Sequence, residues 1–537
     1  KADGSQLKQN THVLATAKHY VGDGGTTYGS STTGSYKIDQ GITEVTPQQL
    51  QAIHLDPFKT SVDLGVGTVM PSYSSVDIIG DDKGPVKMHG NAELINGVLK
   101  NQMGFDGFVI SDWQAIDQLP GDYPSDIRTS INAGLDMIMV PTNYQAFTQG
   151  LTSEVTAGRV PQARIDDAVS RILVQKFKLG LFEQPYSDTS KLSTIGSAEH
   201  RAVGREAAAK SQVLLKNDGN VLPLASTSKV YVAGSNANDL GNQMGGWSIS
   251  WQGGSGNTTT GTTILDGIKQ VVPTATFSQD ASAPLEGHDV GVVVVGERPY
   301  AEGIGDVGNG HDLLLSDADR AAVDKVCAAM KCVVLIVSGR PQVIADQLGE
   351  VDALVASWLP GTEGAGVADV LFGKRPFSGR LPVTWPKAET QQPINVGDAS
   401  YDPQYPYGWG LTTQAAARQK LTDARKELLR KGFLDPNALA AVITIDLALR
   451  VKDWSGPQAT TALAAVGQAG KYLQRTKADS FADGDAVVGA ARWIAQDQIG
   501  QNLDEATSKL TSDAEHLALS GDLSTAITKL TAAYKLH

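Results

Sequence analysis

Short apolar runs alternate with amphipathic segments over residues 1–183 of the 537-residue chain. The runs end in polar or glycine-rich positions, and the segments between them repeat apolar residues at spacings of three and four. Such runs are typical of buried strands, and the three–four spacing is typical of helices. The four predicted strands are VLATAKHY, GVGTVMPSY, FDGFVISDW and GLDMIMVP. Strands that alternate with helices predict a parallel sheet built from βα units.

A second series of the same kind follows a polar stretch at residues 184–199, which we interpret as a linker. Its four apolar runs are SKVYVAGS, VGVVVVGE, CVVLIVSG and VDALVASWLPG. Because these runs are apolar without alternation, we expect helices to cover both faces of their sheet. The pattern predicts a second α/β domain over residues 200–413.

The composition changes at Gln414. From there to His537 the chain is rich in Ala, Leu, Lys and Asp and poor in Gly. The apolar spacing predicts helices, which are separated by stop and start signals such as SGD and KGFLDP. We predict an all-α module over residues 414–537 that carries no catalytic constellation, and its sequence leaves open whether its role is that of a spacer or of a surface-binding module.

The overall composition excludes several classes of protein. Hydrophobic residues make up 41% of the chain and charged residues 19%, which allows a packed core and excludes wholesale disorder. The net charge is −13, which argues against a nucleic-acid partner or an anionic membrane surface. There is no run of about 18 apolar residues, so we predict no membrane span.

Three carboxylates follow the ends of predicted strands, which is where parallel sheets usually carry their active sites. Asp112 ends the run GFVISDW, where it could act as a nucleophile, although its position alone favours a helix N-cap. Glu297 and Glu302 lie on the loop that follows VGVVVVG. Either could be a general acid, although in isolation both are more often solvated loop charges.

Other candidate residues lie on strand ends and loops. Lys18 and His19 are adjacent at a strand end, so both can face one ligand only if the strand ends or kinks there. Trp247 and Trp251 lie in a glycine-rich loop, where they could stack on a sugar or pack at an interface. The only two cysteines are separated by four residues, and their spacing allows either a short disulfide or two buried thiols; they are Cys327 and Cys332.

Together these fragments form an ordered set of motifs. The set includes AKHYVGDGGT, MPSYSS, GFVISDW, INAGLDMIMVP, GGWSISWQG, VVVGERPYAEGIGD, LPGTEGAGVADVLFG and GRLPVTW. Through them the chain resembles glycoside hydrolase family 3 over about residues 1–413. The resemblance implies an α/β fold: part of a (β/α)8-type barrel, then an α/β sandwich domain. The all-α module lies outside it.

The resemblance also implies a retaining, exo-acting β-glucosidase or β-glucan glucohydrolase that releases glucose from non-reducing ends. In this implied mechanism Asp112 is the nucleophile and Glu302 the acid/base, with Glu297 as the fallback. No cofactor or metal is needed. The implied substrates are β-glucan oligosaccharides or other β-glucosides.

The resemblance assigns five binding residues as well. Lys18 and His19 correspond to the pair that hydrogen-bonds the terminal glucose, and Tyr73 lines the same pocket. Trp113 and Trp251 correspond to the two indoles that clamp the next glucosyl unit. The cysteine spacing matches a short disulfide of plant members, and with it we expect a secreted or periplasmic protein.

One departure from the family pattern is large. Only about 17 residues precede the KHY motif, whereas the family barrel has several βα units there. We therefore expect the chain to be N-terminally truncated, and an inactive or carbohydrate-binding remnant is the main alternative. A β-N-acetylhexosaminidase is less favoured, because the loop VGDGGTTYGSSTTGSYK lacks the histidine of that branch.

Overall fold

The structure is a computed structural model that describes Leu7 and residues 12–412, 414–431, 435–452, 454, 458–476, 481–499 and 503–537. The chain falls into two compact units. Unit 1 comprises Lys1–Ile195 and Glu302–His311, and unit 2 comprises Gly196–Ala301 and Asp312–His537. The predicted end of the second domain, at Thr413, lies outside the described residues.

Unit 1 is built on a three-stranded parallel sheet, which a small mixed sheet accompanies. The strands are β1 (Thr16–Tyr20), β2 (Ile42–Val45), β3 (Thr68–Pro71), β4 (Ser75–Ile78), β5 (Val86–Lys87) and β6 (Phe108–Val109). The main sheet has the order β1–β3–β6, and the small sheet has the order β2–β4–β5. Ile110 continues the main sheet by bridging Met137 in parallel. Three of the four predicted apolar runs form strands, and the fourth, GLDMIMVP, contributes this bridge.

The helices of unit 1 follow the amphipathic segments. They are α1 (Pro47–Gln49), α2 (Asp56–Asp63), α3 (Tyr123–Ala133), α4 (Tyr144–Thr156) and α5 (Gln162–Lys178), with π-helical stretches at Leu50–Leu55 and Glu93–Gln102. Local signals set the ends of α3. The Asp122 carboxylate accepts the N–H of Ser125 at its start, and Gly134 adopts a φ of 111° at its end.

The core of unit 1 lies between the main sheet and these helices. Tyr20 and Val69 from the sheet are fully buried with Ile95 and Leu99 from the second π-helical stretch. The Tyr20 hydroxyl donates a hydrogen bond to the carbonyl of Leu94, so the buried phenol has a partner. This packing fixes β1 and β3, whose carboxyl ends carry the candidate residues.

Unit 2 contains a six-stranded sheet. Its strands are β7 (Val213–Asn217), β8 (Val230–Ala233), β9 (Thr276–Phe277), β10 (Val290–Gly296), β11 (Lys331–Val337) and β12 (Ala353–Ala356). Their order is β7–β12–β11–β10–β8–β9. All neighbours pair in parallel except β7, which is antiparallel to β12. The four predicted apolar runs supply β8, β10, β11 and β12.

Helices cover both faces of this sheet, which explains the unbroken valine runs. They are α6 (Ala198–Ser211), α7 (Leu240–Met244), α8 (Ile264–Val271), α9 (Asp317–Ala329) and α10 (Gly364–Leu371). Cys327 near the end of α9 forms a disulfide with Cys332 in β11. The pairing implied by the family resemblance is therefore present.

In the described part of residues 414–537, six helices form the C-terminal part of unit 2, as the apolar spacing predicts. They are α11 (Gln414–Lys431), α12 (Pro436–Arg450), α13 (Ala459–Leu473), α14 (Phe481–Ile499), α15 (Glu505–Leu519) and α16 (Leu523–Tyr534). They share one hydrophobic cluster with the sheet, in which Trp385 and Trp409 join Leu421 and Ile445. Within the described ranges, no helix is both long and apolar enough to cross a membrane.

Candidate active site

The backbone at Asp112 is fixed where the main sheet of unit 1 ends. The Asp112 N–H donates to Nε2 of His89 at 3.0 Å, and the Trp113 N–H donates to Oδ1 of Asp112 at 2.6 Å. The preceding residue, Ser111, donates its N–H to the Met137 carbonyl at 2.9 Å. These bonds hold both the backbone and the carboxylate of Asp112 at the strand end, a position typical of catalytic groups on parallel sheets.

His19 lies beside this carboxylate at the end of β1. The pairing register of β1 with β3 shifts between Lys18 and Tyr20, and the Lys18–His19 peptide bond is cis. The His19 Nε2 atom is 3.4 Å from Oδ2 of Asp112, and Nδ1 is 3.6 Å from Oδ2 of Asp23. One imidazole thus bridges two carboxylates.

These contacts set the charges of both groups. Burial opposes the charged imidazolium, but the hydrogen bonds to Asp112 and Asp23 outweigh it and raise the pKa of His19 to about 9. Burial likewise opposes the Asp112 carboxylate. The hydrogen bonds from His19 and the Trp113 amide, with the positive charges of His19 and Lys18, nevertheless hold its pKa below the usual range. At neutral pH the site therefore carries an ionised Asp112 against a protonated His19.

Asp23 and His89 complete a closed network around this pair. The Ser72 hydroxyl donates to Oδ1 of Asp23 at 2.5 Å, and the pKa of Asp23 is lowered because its bonds from His19 and Ser72 overcome the effect of burial. Burial lowers the pKa of His89 to about 4. His89 is therefore neutral, as it must be for Nε2 to accept the Asp112 amide.

Asp23 and His89 were not predicted from the sequence. Asp23 lies four residues after His19, and that spacing was the available signal. His89 follows a two-residue strand and has no pattern that distinguishes it from a core histidine. Its role depends on a contact with a residue 23 positions later in the chain.

Tyr73 and Trp113 border the same carboxylate. The Tyr73 hydroxyl donates to the Trp113 carbonyl, and its ring centroid lies 6.0 Å from that of His89. Burial raises the pKa of the Tyr73 phenol, and the negative charges of Asp112 and Glu302 raise it further. The Trp113 side chain is 57% exposed, so its indole face is open for stacking.

Glu302 belongs to a segment of the chain that is part of unit 1, although the residues on both sides of it are part of unit 2. It opens a 3-10 turn, Glu302–Gly305, and adopts a left-handed φ of 54°. Its charge raises the pKa of Tyr73, as the charge of Asp112 does. The carboxylates of Asp112, Glu302 and Asp39 thus all act electrostatically on one phenol.

The fallback residue, Glu297, has a different environment in unit 2. Its Oε1 accepts from Nε of Arg340 at 2.9 Å, and its Oε2 accepts from the Tyr300 hydroxyl at 3.0 Å. The guanidinium of Arg340 also lies over the Tyr300 ring, 4.6 Å from its centroid. Glu297 is therefore engaged in a largely buried ion pair, which is typical of a structural carboxylate.

The remaining candidates are exposed. Lys18 is exposed at the end of β1. Trp251 and Trp247 lie in a loop of unit 2 and are 43% and 68% exposed, and the Trp247 N–H donates to the Trp251 carbonyl at 2.8 Å. Both indoles are thus open to a ligand. Among the described residues, no group of three or more His, Cys, Asp or Glu side chains could hold a metal ion.

Comparison with known proteins identifies the family. The model of the glycosyl hydrolase family 3 N-terminal domain matches residues 3–174, and that of the family 3 C-terminal domain matches residues 212–413. The chain belongs to glycosyl hydrolase family 3. Neither match extends into the helical module beyond residue 413.

Curated relatives are longer than this chain. A lysosomal beta glucosidase of Dictyostelium discoideum is 33% identical over 409 residues, which cover 70% of this chain and 48% of the relative. A periplasmic beta-glucosidase of Salmonella typhimurium is 26% identical over 492 residues, covering 78% of this chain and 61% of the relative. The chain thus spans about half to three fifths of the length of these two proteins.

Solved structures confirm the fold class. An exo-1,3/1,4-beta-glucanase from a Pseudoalteromonas species is 38% identical, with a TM-score of 0.67 over 76% of this chain and 51% of that one. A beta-glucosidase from Listeria innocua in complex with glucose is 25% identical, with a TM-score of 0.65 over 76% of this chain and 59% of that one. The predicted combination of a barrel-like α/β part and an α/β sandwich is therefore correct.

Proposed function

We propose that this chain carries the catalytic groups of a retaining, exo-acting β-glucosidase that releases glucose from the non-reducing ends of β-glucosides or β-glucan oligosaccharides. The observation that carries the proposal is the setting of Asp112. This carboxylate is held ionised by His19 at a strand end, and its charge and that of Glu302 act on the same phenol, Tyr73. Glycoside hydrolysis uses a pair of carboxylates that flank the glycosidic bond.

In the first step, an oxygen of Asp112 attacks the anomeric carbon while the glycosidic bond breaks. Glu302, in its protonated form, gives its proton to the departing oxygen. The transition state carries positive charge on the sugar ring, which an ionised carboxylate stabilises. The products are the free leaving group and a glucose ester of Asp112.

In the second step, Glu302 removes a proton from water, whose oxygen attacks the anomeric carbon and displaces Asp112. Two inversions retain the β configuration. The carboxylates return to their starting protonation states, so the cycle closes without an external acid or base. Every proton in this cycle moves between Glu302, the leaving group and water.

The neighbouring side chains bind the sugar in this proposal. The ammonium of Lys18 donates a hydrogen bond to a hydroxyl of the terminal glucose. His19, whose two ring N–H groups face the carboxylates of Asp112 and Asp23, borders the same glucose, and Tyr73 lines its pocket. Trp113 stacks on the next glucosyl unit, which its exposed indole supports, and the exposed indole of Trp251 offers a second stacking surface in unit 2. The ion pair of Glu297 with Arg340 supports Glu302 rather than Glu297 as the acid.

The names of the relatives support both substrate and location. The Listeria innocua structure holds glucose, and the Pseudoalteromonas protein is an exo-acting glucanase. The two curated relatives are periplasmic and lysosomal proteins. Together with the disulfide between Cys327 and Cys332, these names support a location outside the reducing cytosol.

The experiment compares two substrates in Glu302→Ala. A glucan disaccharide has a poor leaving group that needs the proton, so we expect its hydrolysis to fall by about 10²-fold or more, on the order of the usual general-acid contribution. A nitrophenyl β-glucoside needs no proton, so its glycosylation step should survive while the second step stalls. Added azide should restore turnover and yield the β-glucosyl azide.

Glu350→Ala, which removes an exposed loop carboxylate of unit 2, is the matched control and should leave both substrates unaffected. Equal losses on both substrates without azide rescue would show that Glu302 is not the acid/base. An α-glucosyl azide would contradict the retaining mechanism. Binding of the disaccharide without turnover by the unaltered chain would instead support a carbohydrate-binding remnant.

A further inference from the structure

The Asp306 carboxylate makes an unusual set of contacts four residues after Glu302. Its Oδ2 atom accepts the backbone N–H groups of Lys37, Ile38 and Asp39 at 2.9, 2.8 and 3.0 Å. Three consecutive amides that converge on one oxygen form an anion-binding nest. A charged acceptor strengthens each of these bonds.

A second hydrogen bond joins the same two segments, with the carboxylate now on residue 39 and the amide in the 302–311 segment. The Gly303 N–H donates to Oδ2 of Asp39 at 2.9 Å, so the two backbone segments exchange carboxylate–amide bonds. Inside the 302–311 segment, the Asn309 side chain donates to the Gly303 carbonyl at 2.7 Å. The segment is therefore fixed to residues 37–39 and braced internally.

The fit around Glu302 is close. A Cβ atom on Gly303 would lie 2.3 Å from ring atoms of Tyr36, so this position requires glycine. Glu302 itself has a left-handed φ of 54°, which non-glycine residues keep only where the surroundings enforce it. The contacts of Asp306 provide such an enforcing element.

We propose that Asp306 is a positioning residue, whose carboxylate fixes the 302–311 segment on residues 37–39 and so sets where the Glu302 carboxyl lies relative to Asp112. The kinetic consequence rests on the proposed function, in which Glu302 is the acid/base. The attachment of the segment is independent of that function. Asp306 itself takes no proton and touches no substrate.

The attachment is tested by hydrogen exchange on the whole chain. In Asp306→Asn, the neutral amide cannot replace a charged acceptor for three N–H groups, so exchange at residues 37–39 should speed up by about tenfold or more. Asp312→Asn, six residues further on in an exposed position, is the control and should change nothing there. Unchanged exchange in Asp306→Asn would overturn the attachment.

A second variant keeps the test decisive if Asp306→Asn folds poorly. Asp39→Asn weakens the return bond and leaves Asp306 in place, so exchange at Gly303 should speed up while the amides of residues 37–39 stay protected. Faster exchange at residues 37–39 as well as at Gly303 in Asp39→Asn would mean that the Asp306 contacts depend on the Asp39–Gly303 bond. The assignment of the nest to Asp306 would then fail.

The positioning role is tested by kinetics of Asp306→Asn on the two substrates described above. Because a displaced acid matters most for a poor leaving group, kcat on the glucan disaccharide should fall by roughly 10- to 100-fold with KM nearly unchanged. Activity on the nitrophenyl glucoside should change less than about threefold. Asp312→Asn should match the unaltered chain on both.

The outcomes separate the two claims. Equal losses on both substrates would indicate a general structural effect and overturn the positioning role while leaving the proposed function intact. If the unaltered chain hydrolyses neither substrate, the proposed function fails and the positioning role fails with it. The attachment then stands or falls on hydrogen exchange alone.

Discussion

Replacing Asp112 by Asn should lower the pKa of the His19 imidazole, because this substitution removes one of two carboxylates that bridge the ring. In the unaltered chain that pKa is raised from 6.5 to about 9. Asn preserves the shape of the side chain and removes only the charge. The experiment therefore isolates the electrostatic coupling on which the proposed site depends.

The magnitude follows from the geometry. The two carboxylates lie at similar distances from the nitrogens of the His19 ring, 3.4 Å for Asp112 and 3.6 Å for Asp23. Both raise the pKa of His19, whereas burial of the ring lowers it. An opposite charge at such a distance shifts a pKa by roughly 1–3 units. Since Asp23 remains in the variant, we expect a fall of about 1–2 units, to a pKa between about 7 and 8.

The assay is an NMR titration of the histidine ring carbons. Comparison with His19→Gln assigns the His19 signal among the 9 histidines of the chain. Asp63→Asn is the control, because this carboxylate pairs with Lys59 on α2 and takes no part in the network. The control should leave the His19 titration unchanged.

The same coupling predicts a pH dependence of stability. The folded pKa of His19 lies above its ordinary value, so its contribution is complete below pH 6.5 and is lost as the pH rises through about 9. The full shift corresponds to roughly 3 kcal/mol, which solvent screening of the partly exposed ring reduces to about 1–2 kcal/mol. A His19 signal that titrates at or below 6.5 in the unaltered chain, or that ignores Asp112→Asn, would refute the coupling.

Two further predictions concern unit 2. The guanidinium of Arg492 and the carboxylate of Glu515 form a buried ion pair. Arg492→Met leaves the carboxylate without this partner and should lower the free energy of unfolding, measured by urea denaturation, by about 3 kcal/mol. The double variant Arg492→Met with Glu515→Leu should recover much of that loss. A loss confined to the double variant would contradict this. Replacing both Cys327 and Cys332 by Ala removes a disulfide across a sequence separation of 5 and should cost about 2 kcal/mol, which the same assay checks with and without reductant.

The sheet of unit 2 could be predicted because its strands are long and uniformly apolar. The runs around β10 and β11 consist almost entirely of buried aliphatic residues. The small sheet of unit 1 was not predicted, since β2, β4 and β5 are two to four residues long and of mixed polarity. Their existence depends on pairing between distant segments and on no local pattern.

The candidate site was partly predictable. Position alone favoured a structural role for Asp112, and only the ordered motifs of the family singled it out with His19. The supporting residues escaped because their partners are far away in the chain. Asp306, for example, contacts amides 267 to 269 residues earlier, and no spacing rule reaches that far.

Covalent labelling tests the central claim, that Asp112 is the nucleophile of a double displacement, most directly. In a 2-deoxy-2-fluoro-β-glucoside, the fluorine destabilises both transition states and slows both steps. A good leaving group restores the rate of the first step alone, so the glycosyl-enzyme accumulates. Mass spectrometry of the digested chain should find one fluoroglucosyl group, and it should lie on the peptide that carries Asp112. A label on a different carboxylate, or turnover of ordinary glucosides with no label on any peptide, would contradict the account.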